Sequence, residues 1–180
     1  MERCAGHSEN EIDSLVALVN QTRDNIPGSF FPRSLNHSLQ LPEGYEKLGG
    51  GKDRIAIGLC QEHVLKVEPF PAHSNEGEVF IWQNASDKLR EKLCPVVDYQ
   101  IDEKTSWLIM QRCNKKKLVP CKVEEEMRKV IPWSSDFHHN NIGNLNDRWV
   151  ALDYGGNDDE ERNRAVSFLA TQSKGFALDF

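Results

Sequence analysis

Ile12, Leu15, Val16 and Val19 recur three and four residues apart, the period of one helix face. Ser8 precedes this run with Glu11 three residues on, a capping box, and Pro27 with Gly28 follows it, so the pattern predicts a helix over residues 8–24. Residues 25–44 carry Pro27, Pro32 and Pro42 among Ser, Asn and Phe. They read as a linker, with Phe30 and Phe31 as its anchors. The period then changes to two: Ile55, Ile57 and Leu59 alternate, and strands are expected over 45–48, 54–60 and 63–68, with a hairpin break at Gln61-Glu62. A helix over 75–91 is expected next, with Trp82, Ala85 and Leu89 on its apolar face. Two strands, 94–101 and 106–112, flank the polar turn Asp102-Glu103-Lys104-Thr105. A short helix over 122–130, a hairpin turning at Asn146-Asp147 and a strand over 149–152 complete the pattern. Asp158 and Asp159 are placed to cap a last helix to about residue 171, with Ala165, Val166 and Leu169 inward.

Strands and helices that segregate along the chain predict an α+β fold. The expected division is an N-terminal helix and linker (1–44), a sheet-bearing part (45–113) and a remainder of loops and helices (114–180). At 180 residues the chain has the length of one ordinary domain or of two small lobes.

Composition narrows the function classes. A net charge of −6 argues against a general nucleic-acid partner, and the one dense basic run, Lys115-Lys116-Lys117, reads as a solvated turn. No apolar run approaches the ~20 residues of a membrane span, and the N-terminus has no apolar signal core. The five cysteines are odd in number and lack Cys-x-x-Cys spacing, which suggests free thiols in a reducing, cytoplasmic compartment. Cys94, Cys113 and Cys121 have no histidine at zinc-finger spacing.

The candidate chemistry lies in Asp136-Phe137-His138-His139-Asn140-Asn141 and, twelve residues after Asn141, in Asp153-Tyr154-Gly155. Phosphoryl transfer needs a carboxylate to orient a hydroxyl, and an amide and a second carboxylate as oxygen ligands for Mg²⁺. Upstream, Lys66 sits within Val64-Leu65-Lys66-Val67. A half-buried ammonium there wants a counter-charge or an anionic ligand, although an edge-strand lysine facing water would read the same. Glu78, four residues before Trp82, lies on the apolar face of its helix while Glu76 is rotated away. Glu78 is therefore the carboxylate to partner Lys66, or else it closes a capping box with Asn75. Gly49, Gly50 and Gly51, followed by Lys52, sit between strands, where backbone amides can approach phosphates; a flexible hairpin turn gives the same string. His138 reads as a brace for its loop rather than as a base. Metal binding by the adjacent His138 and His139 is disfavoured because neighbouring side chains diverge.

These residues in this order resemble the protein-kinase-like superfamily, and most closely the small phage-type kinases and the aminoglycoside and choline kinases, whose loops read Asp-x-His-x-x-Asn. The resemblance covers roughly residues 45–156. It implies an antiparallel N-lobe sheet with one helix, a much reduced helical C-lobe, and ATP with Mg²⁺ as cofactors. It implies Asp136 as the catalytic base, Lys66 at the α- and β-phosphates paired with Glu78, and Asn141 with Asp153 as metal ligands. Gly49, Gly50 and Gly51 would cover the nucleotide. Ala56 and Val64 would roof the adenine, Met110 would guard it, and Gln111 to Cys113 would offer hinge backbone; a plain core strand is the other reading of that segment. The implied activity is transfer of the γ-phosphate to a hydroxyl, of a protein Ser/Thr, with a pseudokinase-like binding protein and a small-molecule kinase as alternatives. The implied partners are the nucleotide and a protein substrate or regulated protein. The chain departs from the family where Ser134-Ser135 replaces His-Arg or His-Gly before the acid. It also lacks an Ala-Pro-Glu motif, and only twenty-five residues follow Gly155.

Overall fold

The computed structural model describes residues 7–26, 31–51, 54–69, 73–102, 105–114, 118–135, 137–156 and 158–173. Cys4, Pro27, Gly28, Phe30, Lys52, Glu103, Lys104, Lys115, Lys116, Lys117 and Asp136 lie outside the described residues, as does the side chain of Phe31. The fold is α+β. Its helices are α1 (Glu9–Asp24), α2 (Phe31–Ser38), α3 (Ser74–Asn84), α4 (Asp87–Arg90), α5 (Cys121–Val130) and α6 (Asp159–Ser173). Its strands are β1 (Glu46–Gly50), β2 (Ile55–Gly58), β3 (His63–Glu68), β4 (Val96–Gln100), β5 (Ser106–Gln111), β6 (Ile142–Leu145) and β7 (Arg148–Ala151). Two compact units result, one of Met1–Asn75 with Val96–Arg112, the other of Glu76–Pro95 with Cys113–Phe180.

The first unit is a five-stranded antiparallel sheet in the order β1-β2-β3-β5-β4 with α1 and α2 packed on it. Ile55, Ile57, Leu65, Val67 and Ile109 share one face by register and meet Ile12, Leu15 and Val19 of α1. Ser8 caps α1 as expected, its Oγ accepting from the Glu11 amide at 3.2 Å. Residues 25–44 do not form a linker throughout, because α2 occupies their middle. Pro32 is tolerated there in the first helical turn, where its missing N–H costs nothing. Leu35 and Leu39, four apart and only 1% and 2% exposed, are the anchors; burying each contributes about 1.5–3 kcal/mol. The Lys47 ammonium donates to the Asn36 and Leu39 carbonyls at the end of α2. Tyr45 donates to Glu11 at 2.6 Å, and that bond, with partial burial, pushes the phenol up to about 12.

In the second unit the helix expected over 75–91 is interrupted. Ser86 turns extended, and its Oγ accepts from the Leu89 amide to start α4. Arg90 reaches back to the Trp82 and Gln83 carbonyls that α3 leaves open at its end, and its guanidinium lies over the Trp82 ring. Trp82 is thus half-buried, and Ile81, Ala85 and Leu89 carry the apolar face instead. The β6–β7 hairpin turns at Asn146 (φ 50°) and Asp147 (φ 63°), the left-handed pair of a two-residue hairpin turn, as the sequence indicates. In α6, Asp158 Oδ1 caps the Glu161 amide, and Ala165 and Leu169 are buried as expected. Val166 is 45% exposed, contrary to expectation, because Glu161 and Phe168 rather than Val166 flank Ala165 and Leu169 on the inward face. Among the described residues no helix is long and apolar enough to cross a membrane.

Candidate functional site

β3 lies between β2 and β5, so Lys66 is on a central strand and not on an edge. Its register neighbours are Ala56 and Leu108, and Val64 is paired with Met110. Side chains in register share a face, so Ala56, Val64, Lys66 and Met110 stand together on the side of the sheet opposite the α1-covered core. Lys66 is half-buried there, and its carbonyl accepts from Asn75 Nδ2 at 3.3 Å.

Gly49 and Gly50 are inside β1, paired with Ala56 and Ile55, rather than between strands. Only Gly51 belongs to the turn, its amide donating to the Arg54 carbonyl at 2.9 Å. Gly50 has a packing role as well, since a Cβ there would meet the Asn36 side chain at 2.8 Å. In the segment expected to act as a hinge, Gln111 ends β5, and the Arg112 amide is already spent on the Glu62 carbonyl at 2.6 Å. Cys113 belongs to the second unit, with its Sγ 3.4 Å from that of Cys94.

The N-terminus of α3 is capped by an acid from β3 that sequence reasoning overlooked. Glu68, 1% exposed at the end of β3, accepts from the amides of Ser74 and Asn75 and from Ser106 Oγ. A carboxylate on a helix N-terminus offsets its unpaired N–H groups and its positive dipole end. Asn75 is therefore not the cap. It lies inside the helix, with Nδ2 on the Lys66 and Ser106 carbonyls and Oδ1 accepting from Arg54. The capping-box reading of Glu78 falls with it.

Glu78 is fully buried and Glu76 is exposed, so Glu78 is on the inward face of α3, as expected. Within its own unit, Glu78 Oε1 accepts from the Tyr154 amide at 3.3 Å. Tyr154 is held at two further points: its carbonyl accepts from Trp133 Nε1 at 2.9 Å, and its hydroxyl donates to the Cys94 carbonyl at 2.9 Å. Gly77 allows α3 to approach this segment, because a Cβ there would sit in hard collision with the Gly155 carbonyl oxygen and 3.0 Å from its carbon. Opposite, the chain enters β6 through a 3-10 turn at His139–Asn141. His138 braces it as expected, Nδ1 accepting from the Asn140 amide at 3.2 Å.

The hairpin sets Asn141 and Asp153 just beyond the open ends of its two strands. Ile142 pairs with Ala151, and the Leu152 amide donates to the Asn141 carbonyl at 2.8 Å, so Asp153 follows directly on the residue bonded to Asn141. An amide oxygen and a carboxylate are the kind of donors a hard cation such as Mg²⁺ takes. Lys66 belongs to the first unit, and Glu78, Asn141 and Asp153 to the second. A groove of about 580 Å³ in the first unit, lined by Asp13, Asn20, Asp102 and Trp107 among others, holds none of the expected site residues. Neither a protein-family model nor a curated protein sequence matches this chain.

Proposed function

We propose that this chain is a minimal protein-kinase-like phosphotransferase that uses ATP and Mg²⁺ to phosphorylate a hydroxyl, of a protein Ser/Thr. The observation that carries the reading is the Asn141–Leu152 backbone bond at the foot of the β6–β7 hairpin, which sets the backbone of Asn141 one residue from that of Asp153 across the two chain segments. The five-stranded antiparallel sheet, with Lys66 amid apolar Ala56, Val64 and Met110, supports it as a surface for phosphates and a flat base. In this reading Lys66 holds phosphate oxygens, Asn141 and Asp153 hold the metal, and Asp136 takes the hydroxyl proton. Bound Mg²⁺ would supply neutralisation of phosphate charge. Glu78, through the Tyr154 amide, keeps Asp153 at the foot of the hairpin. Catalysis then rests on positioning and charge rather than on a covalent enzyme intermediate.

A second reading, nucleotide binding without transfer, is favoured by the chain's shortness: only 22 residues lie between Cys113 and Asp136, little material for an acceptor site. Two measurements separate the readings. Mg·ATP at 100 times its dissociation constant would stabilise the folded protein by about 2.7 kcal/mol, and Asp153→Ala should abolish that shift. Transfer of labelled γ-phosphate, to the chain itself or to a generic protein acceptor, should require Asp136. Stabilisation with no transfer leaves the binding protein; no Mg·ATP-dependent stabilisation defeats both.

A further inference from the structure

A second cluster of chemistry-bearing side chains, none of them assigned a role above, lies in the first unit at the β2–β3 turn. His7 stands just ahead of the cap of α1, and Cys60 and His63 flank the β2–β3 turn as Cys60-Gln61-Glu62-His63. One ligand atom from each of these three residues lies within 4.8 Å of the other two. Cys60 Sγ is 3.6 Å from His63 Nδ1, and the His7 and His63 rings meet edge to face with centroids 5.9 Å apart. A tetrahedral zinc with bonds of ~2.3 Å to sulfur and ~2.0 Å to nitrogen sets its ligand atoms ~3.3–3.6 Å apart. The Cys60–His63 pair already has that spacing, and a small closure brings His7 to it.

The surroundings are those of ligands. His7 Nδ1 is 3.1 Å from Glu11 Oε1, which leaves Nε2 as the free coordinating nitrogen, the carboxylate–histidine–metal arrangement. Glu11 is fixed in turn by the Tyr45 hydroxyl, and this bond, with those from His7 and the Ser8 amide, holds its carboxyl below the ordinary range. Cys60 Sγ accepts from the Glu62 amide at 3.3 Å, and the Arg112 guanidinium donates to the Cys60 carbonyl at 2.9 Å. Burial, with His7 beside it, lowers the His63 pKa and favours the neutral imidazole that a metal needs.

We propose that His7, Cys60 and His63 bind a zinc-class divalent ion that ties the start of α1 to the β2–β3 turn. Two nitrogens and one thiolate select a borderline-soft cation over Mg²⁺ or Ca²⁺. Three protein ligands leave a fourth position.

The test is Co²⁺ titration of the full chain after chelator treatment, followed by Zn²⁺ displacement. Expected are one Co²⁺ per chain, a thiolate-to-cobalt charge-transfer band with ligand-field bands of a four-coordinate ion, and their loss on adding Zn²⁺. Cys60→Ser and His63→Ala should each weaken binding by more than about tenfold, with the fold checked by circular dichroism. Glu11→Gln, which leaves all three ligands in place, should weaken it about 10–100-fold. The proposal is overturned by failure of the wild-type chain to take up stoichiometric Co²⁺, or by unchanged affinity in folded Cys60→Ser and His63→Ala chains.

Discussion

Replacing Gly77 by alanine sets two effects of opposite sign against each other. Gly77 lies in α3, where glycine is a poor helix former, so alanine should gain about 0.5–1 kcal/mol on backbone grounds alone. Against this, the new methyl falls on the Gly155 carbonyl, and both of its nearest atoms belong to backbone rather than to a side chain that could swing aside. Relief requires α3 or the segment at Tyr154 to move, and Tyr154 is tied down by Glu78, Trp133 and Cys94. Overpacking of this kind typically costs about 1–3 kcal/mol, enough to outweigh the helix gain. The net expectation is a loss of about 1–2 kcal/mol, read as a urea midpoint lower by about 0.5–1 M at unchanged slope. Gly49→Ala is the control: nothing lies within 4 Å of its added methyl, and it should stay within about 0.5 kcal/mol of wild type. A Gly77→Ala chain as stable as wild type, or more so, would show that α3 does not approach this segment as described.

The Tyr45–Glu11 bond should appear in alkaline titration. Tyr45 is raised to about 12 from an ordinary 10, so its contribution to stability is complete below pH 10 and lost as pH rises toward 12. Tyr45→Phe should remove that late-titrating phenol from the ultraviolet titration and flatten the high-pH loss of stability; an unchanged titration curve would contradict the bond. Glu68→Gln removes the charge on the α3 N-terminus and should cost about 1–3 kcal/mol, with faster hydrogen exchange at the Ser74 and Asn75 amides. Unaltered exchange there would mean that Glu68 is not the cap.

Elements with an unbroken period were legible from the chain alone. The alternation through Ile55, Ile57 and Leu59 located β2, and the three-and-four spacing after Ser8 located α1. What escaped depends on partners distant in sequence. The helix α2 is eight residues long and holds a proline, so its local signal is weak, and its burial of Leu35 and Leu39 against the sheet sustains it. The break before α4 is stabilised by Arg90 reaching back to α3, a bond no periodicity reveals. The hairpin that follows Asn141 could be located because its turn pair Asn146-Asp147 is local in sequence. Glu68 and the His7–Cys60–His63 cluster could not, because their meaning arises only when chain ends and turns are brought together in space. For the cluster, the Cys-x-x-His spacing of Cys60 and His63 was the one available hint.

The tyrosine after Asp153 has a physical reason for not being phenylalanine. Its hydroxyl answers a carbonyl sixty residues earlier in the chain, while its own amide and carbonyl are claimed by two other segments. Swinging this tripeptide outward as a unit would strand three polar groups in the interior at once, about 1–3 kcal/mol apiece. Any displacement of the segment that follows Asp153 would have to break these three bonds in concert.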